Sequence, residues 1–209
     1  MYYITAVIPA FNEEKTIGEV IKTVSKVDII DNIVVISDGS KDNTANIAKG
    51  LDAEVLELSE NIGKGGAIKR GINRSNGDII LFLDADLVNL KPKHIMDLLK
   101  PVISDNYQMS IGVFDSGRKV TDLAQKITPF LSGQRAIKRD VIEQISNLDV
   151  TRYGVELAIT KYVNKNNIKY KEVILPNLTH IMKEEKLGLF KGFTERLKMY
   201  WDIVKMIDN

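Results

Sequence analysis

Asp78-Ile79-Ile80-Leu81-Phe82-Leu83-Asp84-Ala85-Asp86 runs from one acid through five uninterrupted apolar residues to two more acids. A strand that is apolar at every position, rather than at every second one, has both faces covered, as in a parallel sheet packed between helices. The pattern repeats upstream. Short β-branched runs at 4–8, 33–37 and 54–57 alternate with helical patterns at 13–27, 43–50 and 64–75. This rhythm predicts an α/β fold with a mostly parallel, Rossmann-like sheet flanked by helices. Ligands of such sheets bind beyond the carboxyl ends of the strands. The polar residues collect there: Asn12 and Glu13 after the first strand, Asp38 after the second, Asp84 and Asp86 after the fourth.

After Asp86 the rhythm changes. Pro92 opens a helix to about Leu99, 107–113 reads as a strand, and the polar stretch 115–131 is expected to hold a mobile loop. Helices follow at 139–146 and 155–164, a strand at 169–175, and a long helical pattern at 188–207. With no repeat or linker composition, the expectation is one domain over 1–209 with a continuous sheet. Its halves are 1–90 and 91–209, the latter ending in the C-terminal helix.

Composition narrows the function. The 29 Lys and Arg nearly cancel 28 Asp and Glu, so charge gives no support to nucleic-acid binding. The absence of Cys excludes disulfides, thiolate metal sites and cysteine nucleophiles, leaving His, Asp and Glu as strong metal ligands. No signal peptide opens the chain and no uncharged run is long enough to span a bilayer, so a cytoplasmic location is expected. The final stretch places Phe190, Phe193, Tyr200 and Trp201 beside several lysines. Packing on the core is the default reading, and peripheral contact with the inner membrane face is the competing one.

Two adjacent features suggest phosphate chemistry. Asp84 and Asp86, one residue apart at a strand end, can reach a hard divalent cation that bridges phosphate oxygens; the bland alternative is a turn with two solvated acids. Gly63-Lys64-Gly65-Gly66 opens a helix, where backbone N–H groups and one ammonium can meet a phosphate. It lacks the spacing and the hydroxyl of a P-loop, and the alternative is a glycine-rich helix start with a solvated lysine.

Residues 8–14 (IPAFNEE), 35–40 (VISDGS), 61–67 (NIGKGGA) and Asp84-Ala85-Asp86, in this order, resemble the nucleotide-sugar half of the family 2 glycosyltransferases, which have the GT-A fold. The resemblance implies transfer of a hexose from a UDP- or GDP-linked donor, assisted by Mg2+ or Mn2+. It places Pro9, Ala10 and Phe11 in the wall of the nucleoside pocket, Glu13 on the ribose, Asp38 on the base or ribose edge, and Lys64 beside the diphosphate. Asp84 falls to the donor and Asp86 to the metal. Ionised carboxylates suit hydroxyl and ring N–H donors, though Asn12 and Glu13, or Asp38 with Ser40 and Asp42, are also good helix caps.

Farther on, Ser132-Gly133-Gln134-Arg135-Ala136 resembles the acceptor-side segment of these enzymes and of polyprenyl-phosphate hexose synthases. Arg135 then neutralises phosphate charge; the alternative is a buried strand with the arginine reaching outward. Tyr153-Gly154-Val155-Glu156 is similar to a segment of the glucosyl-3-phosphoglycerate synthases. Glu156 stands roughly where inverting members carry the catalytic acid, so it is the candidate general base. In a retaining enzyme it orients the acceptor instead, and as a plain early-helix acid it only complements the dipole. His180 matches the late histidine that completes the metal shell in several GT-A enzymes, against a structural role; His94 is assigned to the surface.

The acceptor implied is a phosphorylated small molecule such as 3-phosphoglycerate, or a polyprenyl phosphate. A nucleotidyltransferase is the alternative enzyme, but Phe11-Asn12-Glu13 replaces its glycine-rich, arginine-bearing signature. A non-catalytic nucleotide-sugar binding module is the third reading.

Overall fold

Seven strands form one sheet in the order β3-β2-β1-β4-β7-β6-β8 in a computed structural model that describes residues 1–114, 132–145 and 155–180, Leu157 by its backbone alone. The elements are β1 (Ile4–Ala10), α1 (Ile17–Val24), β2 (Asn32–Asp38), α2 (Thr44–Lys49), β3 (Glu54–Leu58), α3 (Gly63–Arg74), β4 (Ile79–Phe82) and β5 (Leu87–Val88). They continue with α4 (Pro92–Ile103), β6 (Met109–Phe114), β7 (Arg135–Lys138), α5 (Arg139–Ile142), α6 (Val155–Lys165), β8 (Tyr170–Leu175) and β9 (Thr179–His180). The two-residue strands β5 and β9 lie outside the seven-stranded sheet. The chain divides into two compact units, Met1–Thr179 and His180–Asn209, and the fold described here is that of the first.

Strands β1 to β4 pair in parallel, and β6 pairs in parallel with β8. Between these blocks β7 runs antiparallel to both neighbours, with Leu81 opposite Ala136 and Phe82 opposite Arg135. That register delivers the 132–135 segment to the carboxyl end of β4, beside Asp84. Within the first unit the sheet therefore joins strands from before and after Asp86.

The apolar strands are covered on both faces. Ile4, Ala6 and Ile8 pack with α1 and α4 residues such as Ile17, Ile21, Leu98 and Leu99. Val7 points the other way, toward Ile68 and Ile72 of α3 and Ile159 and Val163 of α6. Arg139 closes the C-terminal end of α3: its Nη2 donates to the Ser75 carbonyl at 2.7 Å and its Nε to the Gly77 carbonyl at 2.6 Å. A cation at a helix C-terminus satisfies carbonyls that have no partner within the helix.

Three local expectations change. Helix α1 begins at Ile17 rather than at residue 13, because 13–16 form a turn closed by Thr16 N–H on the Glu13 carbonyl at 3.1 Å. Helix α4 continues past Pro101 to Ile103: the proline lies in the last turn, where only one helical hydrogen bond is lost, and Val102 beyond it is buried. His94 is not at the surface but 3% exposed. Its Nδ1 accepts the Lys91 N–H at 3.3 Å, and burial lowers its pKa against the opposing effect of a hydrogen bond to the Pro176 backbone. The stretch 115–131 and the helix expected at 188–207 lie outside the described residues. Among those described, no helix is long and apolar enough to cross a membrane.

Candidate functional site

The loops after β1 and β2 are stitched to each other. Asn12, at φ +55°, turns its Oδ1 to accept the Lys41 N–H at 2.8 Å, while its own N–H donates to Ser40 Oγ at 3.1 Å. Asparagine tolerates this left-handed backbone better than most residues. Glu13 N–H donates to Thr44 Oγ1 at 2.7 Å, Glu14 N–H to Asp42 Oδ2 at 3.2 Å, and Asn43 N–H to Glu14 Oε2 at 3.0 Å. Just ahead of α2, whose N-cap is Asn43, Asp42 Oδ1 accepts the Thr44 N–H at 3.0 Å. Pro9 is half-buried and Ala10 buried at the end of β1, and Phe11 is 46% exposed on the latched loop next to half-buried Glu13.

Asp38 is buried and caps a helix far from it in sequence. Its Oδ1 accepts the Ile62 N–H at 2.8 Å and its Oδ2 the Gly63 N–H at 3.0 Å, at the start of α3. Gly39 makes this approach possible: it sits at φ +67°, and a Cβ there would stand 2.5 Å from the Asn61 nitrogen and the Glu60 carbonyl carbon. In place of the local cap that the sequence around Asp38 suggests, its carboxylate makes this long-range one. An ionised carboxylate has about four acceptor sites, so these two bonds leave capacity for further donors. Asp38→Ala is expected to cost about 1–2 kcal/mol of stability, the scale of a lost N-cap. Chemical denaturation checks this, and an unchanged midpoint would show that the cap contributes nothing.

The densest charge lies where α3, the end of β4 and the first turn of α6 meet. Lys64 Nζ is 2.6 Å from Asp84 Oδ1 and 2.5 Å from Glu156 Oε1. Burial pulls the pKa of this ammonium down, but Asp84 and then Glu156 outweigh it and hold the group well above the ordinary lysine value. Asp84 Oδ2 accepts Gln134 Nε2–H at 2.8 Å. Gly133 lies against the same pair: a Cβ there would stand 2.6 Å from both Asp84 Oδ2 and Lys64 Nζ.

Arg135 is only 1% exposed, so the alternative in which it reaches outward is wrong. Its Nε donates to the Ser132 carbonyl at 2.9 Å and its Nη1 to Thr160 Oγ1 at 3.0 Å. Burial lowers its pKa to about 10, while Glu156, Tyr170 and Asp84 favour the charged form. The guanidinium is thus a fixed cation behind two carboxylates. Asp86 is half-buried two residues beyond Asp84. His180, the first residue of the second unit, is exposed. Tyr153 and Gly154 lie outside the described residues.

The structure thus gathers Lys64, Asp84, Arg135 and Glu156 into one cluster, and joins the Phe11–Glu13 loop to the loop after Asp38. Sequence reading quoted Gln134 and Gly133 but gave them no role, and Thr44 and Thr160 had no signal beyond being hydroxyls near acids.

Comparison with known proteins bears on this geometry. The description "Glycosyl transferase family 2" matches residues 5–174. An uncharacterized protein of Methanocaldococcus jannaschii is 34% identical, over 94% of this chain and 90% of that protein. Glucosyl-3-phosphoglycerate synthase of Petrotoga mobilis is 29% identical over 74% of this chain, and the match spans only 58% of the synthase's own length. The crystal structure of glucosyl-3-phosphoglycerate synthase from Mycobacterium tuberculosis, in complex with Mn2+, UDP-glucose and phosphoglyceric acid, matches with a TM-score of 0.76 at 28% identity. That match covers 90% of this chain and 75% of that one. A mostly parallel seven-stranded sheet, the match to a solved GT-A structure and a family match over most of the chain agree: the fold is GT-A, and this glycosyltransferase belongs to glycosyl transferase family 2.

Proposed function

We propose that the chain transfers a hexosyl group from a nucleotide-linked hexose, UDP-linked before GDP-linked, to a hydroxyl of a small phosphorylated acceptor of the phosphoglycerate kind. The observation that carries this reading is Lys64 Nζ, which touches Asp84 from the nucleotide half and Glu156 from the acceptor half. One ammonium between the two halves is suited to a reaction whose leaving group is a diphosphate and whose nucleophile must be held by a carboxylate. Pro9, Ala10 and Phe11 form the nucleoside wall, Glu13 holds the ribose, and Asp38 reads the base or ribose edge with its remaining acceptor capacity. Lys64 turns to the diphosphate, Asp84 binds the donor, and Glu156 holds the acceptor hydroxyl. Arg135 supplies positive charge from behind Glu156 rather than by surface contact.

The residues fit a cation of the Mg2+ or Mn2+ class held together with the donor. Among the described residues no three His, Asp or Glu converge on a point. Magnesium-type sites on nucleotides commonly use one or two carboxylates plus substrate phosphates, and Asp86 is the carboxylate assigned to it. When bound, such a cation offsets charge on the leaving diphosphate. Asp86→Ala should weaken metal-dependent binding of a nucleoside diphosphate by at least the roughly 10–100-fold seen when a supporting residue of a metal site is lost. Calorimetry showing the same Mn2+-dependent affinity in the variant would remove Asp86 from the site.

A panel of UDP- and GDP-hexoses against phosphoglycerate and a polyprenyl phosphate, with Mn2+ or Mg2+, tests the proposal by mass spectrometry. The expected product is phosphoglycerate carrying one added hexosyl mass. Transfer to the polyprenyl phosphate alone would move the acceptor to the lipid class, and no transfer from any donor would contradict the reading.

A further inference from the structure

Gln134 is 0% exposed, and nothing in the transfer chemistry calls for it. Its backbone is held in place: the Gln134 carbonyl accepts the Gly112 N–H at 2.8 Å, and its N–H donates to Ser132 Oγ at 3.3 Å. Because Ser132 Oγ accepts that backbone bond, its own hydrogen goes to Gln134 Oε1, 3.1 Å away. The orientation of the side-chain amide follows from this network. With Oε1 committed to the serine, Nε2 faces Asp84 Oδ2 at 2.8 Å. Gly133, between the two, leaves no room for a side chain against the Asp84 carboxylate.

From this geometry we infer that Gln134, aligned by Ser132, is a positioning residue: it fixes one oxygen of Asp84 so that the other meets Lys64 and the carboxylate faces the donor. This deepens the proposed function and rests on it for the role of Asp84. The choice of an amide is physically apt. A glutamate would set a second carboxylate against Asp84, a lysine would compete with Lys64, and an apolar side chain would take one directed N–H donor away from a half-buried carboxylate. An amide supplies a neutral N–H in a fixed direction and alters no charge.

The test is a double-mutant cycle between Gln134→Met and Asp84→Asn, with Ser132→Ala as a milder variant that removes only the aligning hydroxyl. Gln134→Met is expected to raise the donor KM about 10- to 100-fold, the usual cost of a lost supporting residue, with acceptor KM and thermal midpoint little changed. In the Asp84→Asn background the same change should add little, because Gln134 acts through Asp84. A second readout needs no substrate: reductive methylation of Lys64, followed by mass spectrometry. Labelling should rise several-fold in Gln134→Met and in Asp84→Asn, rise less in Ser132→Ala, and go no higher in the double variant. Additive losses, or wild-type donor KM and labelling in folded Gln134→Met, would overturn the inference. If Gln134→Met does not fold, wild-type labelling in Ser132→Ala would overturn it. A wild-type protein that turns over no nucleotide-sugar while Lys64 labelling follows the expected pattern would refute the proposed function and leave the positioning by Gln134 standing.

Discussion

Glu156→Gln is expected to leave donor affinity intact and to slow transfer by about 10²–10⁴-fold if the carboxylate takes the acceptor's proton. The substitution keeps the length of the side chain and its reach toward Lys64 Nζ, 2.5 Å away, and Lys64 retains Asp84 as a partner. The fold should therefore survive, and the loss should appear in kcat. If the enzyme retains the sugar's configuration, Glu156 orients the acceptor, and the variant shows a smaller fall in kcat with a raised acceptor KM. Steady-state kinetics at saturating donor separates these outcomes. Wild-type turnover together with wild-type acceptor KM would place the acceptor-side group elsewhere.

Lys64→Met should produce the largest loss of stability. It removes the ammonium shared by Asp84 and Glu156 and leaves two carboxylates facing one another. Deleting one partner of a fully buried pair costs about 3–5 kcal/mol, and since the Lys64 side chain keeps 29% exposure, about 2–3 kcal/mol is expected. Pairing raises the ammonium's pKa, so this contribution is fully present below the ordinary lysine value of 10.5 and is lost as pH rises from there through the raised value. Urea denaturation at neutral pH reads the effect, and adding Glu156→Gln to Lys64→Met should restore part of it. A wild-type midpoint in Lys64→Met would mean that the carboxylates find another partner.

The strand ends were legible because each apolar run stops at a polar residue: Phe11 before Asn12, Ile36 before Ser37 and Asp38, Leu83 before Asp84. Alternation between strands and helices was enough to place these ends on one edge of a parallel sheet. What stayed hidden depended on contacts distant in sequence. Asp38 looks like a turn former until α3 is brought to it, and nothing local to Ile62 or Gly63 shows that their N–H groups have a carboxylate waiting. Arg135 in a short strand suggests an outward side chain, yet the antiparallel insertion of β7 turns it into the charged cluster. His94 sits in an amphipathic helix, where its residue type suggests the polar side. Its burial reflects a bond to the Pro176 backbone that periodicity does not encode.

Which bond of the donor breaks is the most direct test of hexosyl transfer. The measurement is UDP-glucose incubated with the protein, Mn2+ and phosphoglycerate, with the products resolved by mass spectrometry. Cleavage between the sugar and the diphosphate is predicted, releasing UDP in step with glucosylated phosphoglycerate and only when the acceptor is present. Donor that binds and is recovered unchanged with every acceptor of the panel would make the protein a binding module, and cleavage between the two phosphates would make it a nucleotidyltransferase.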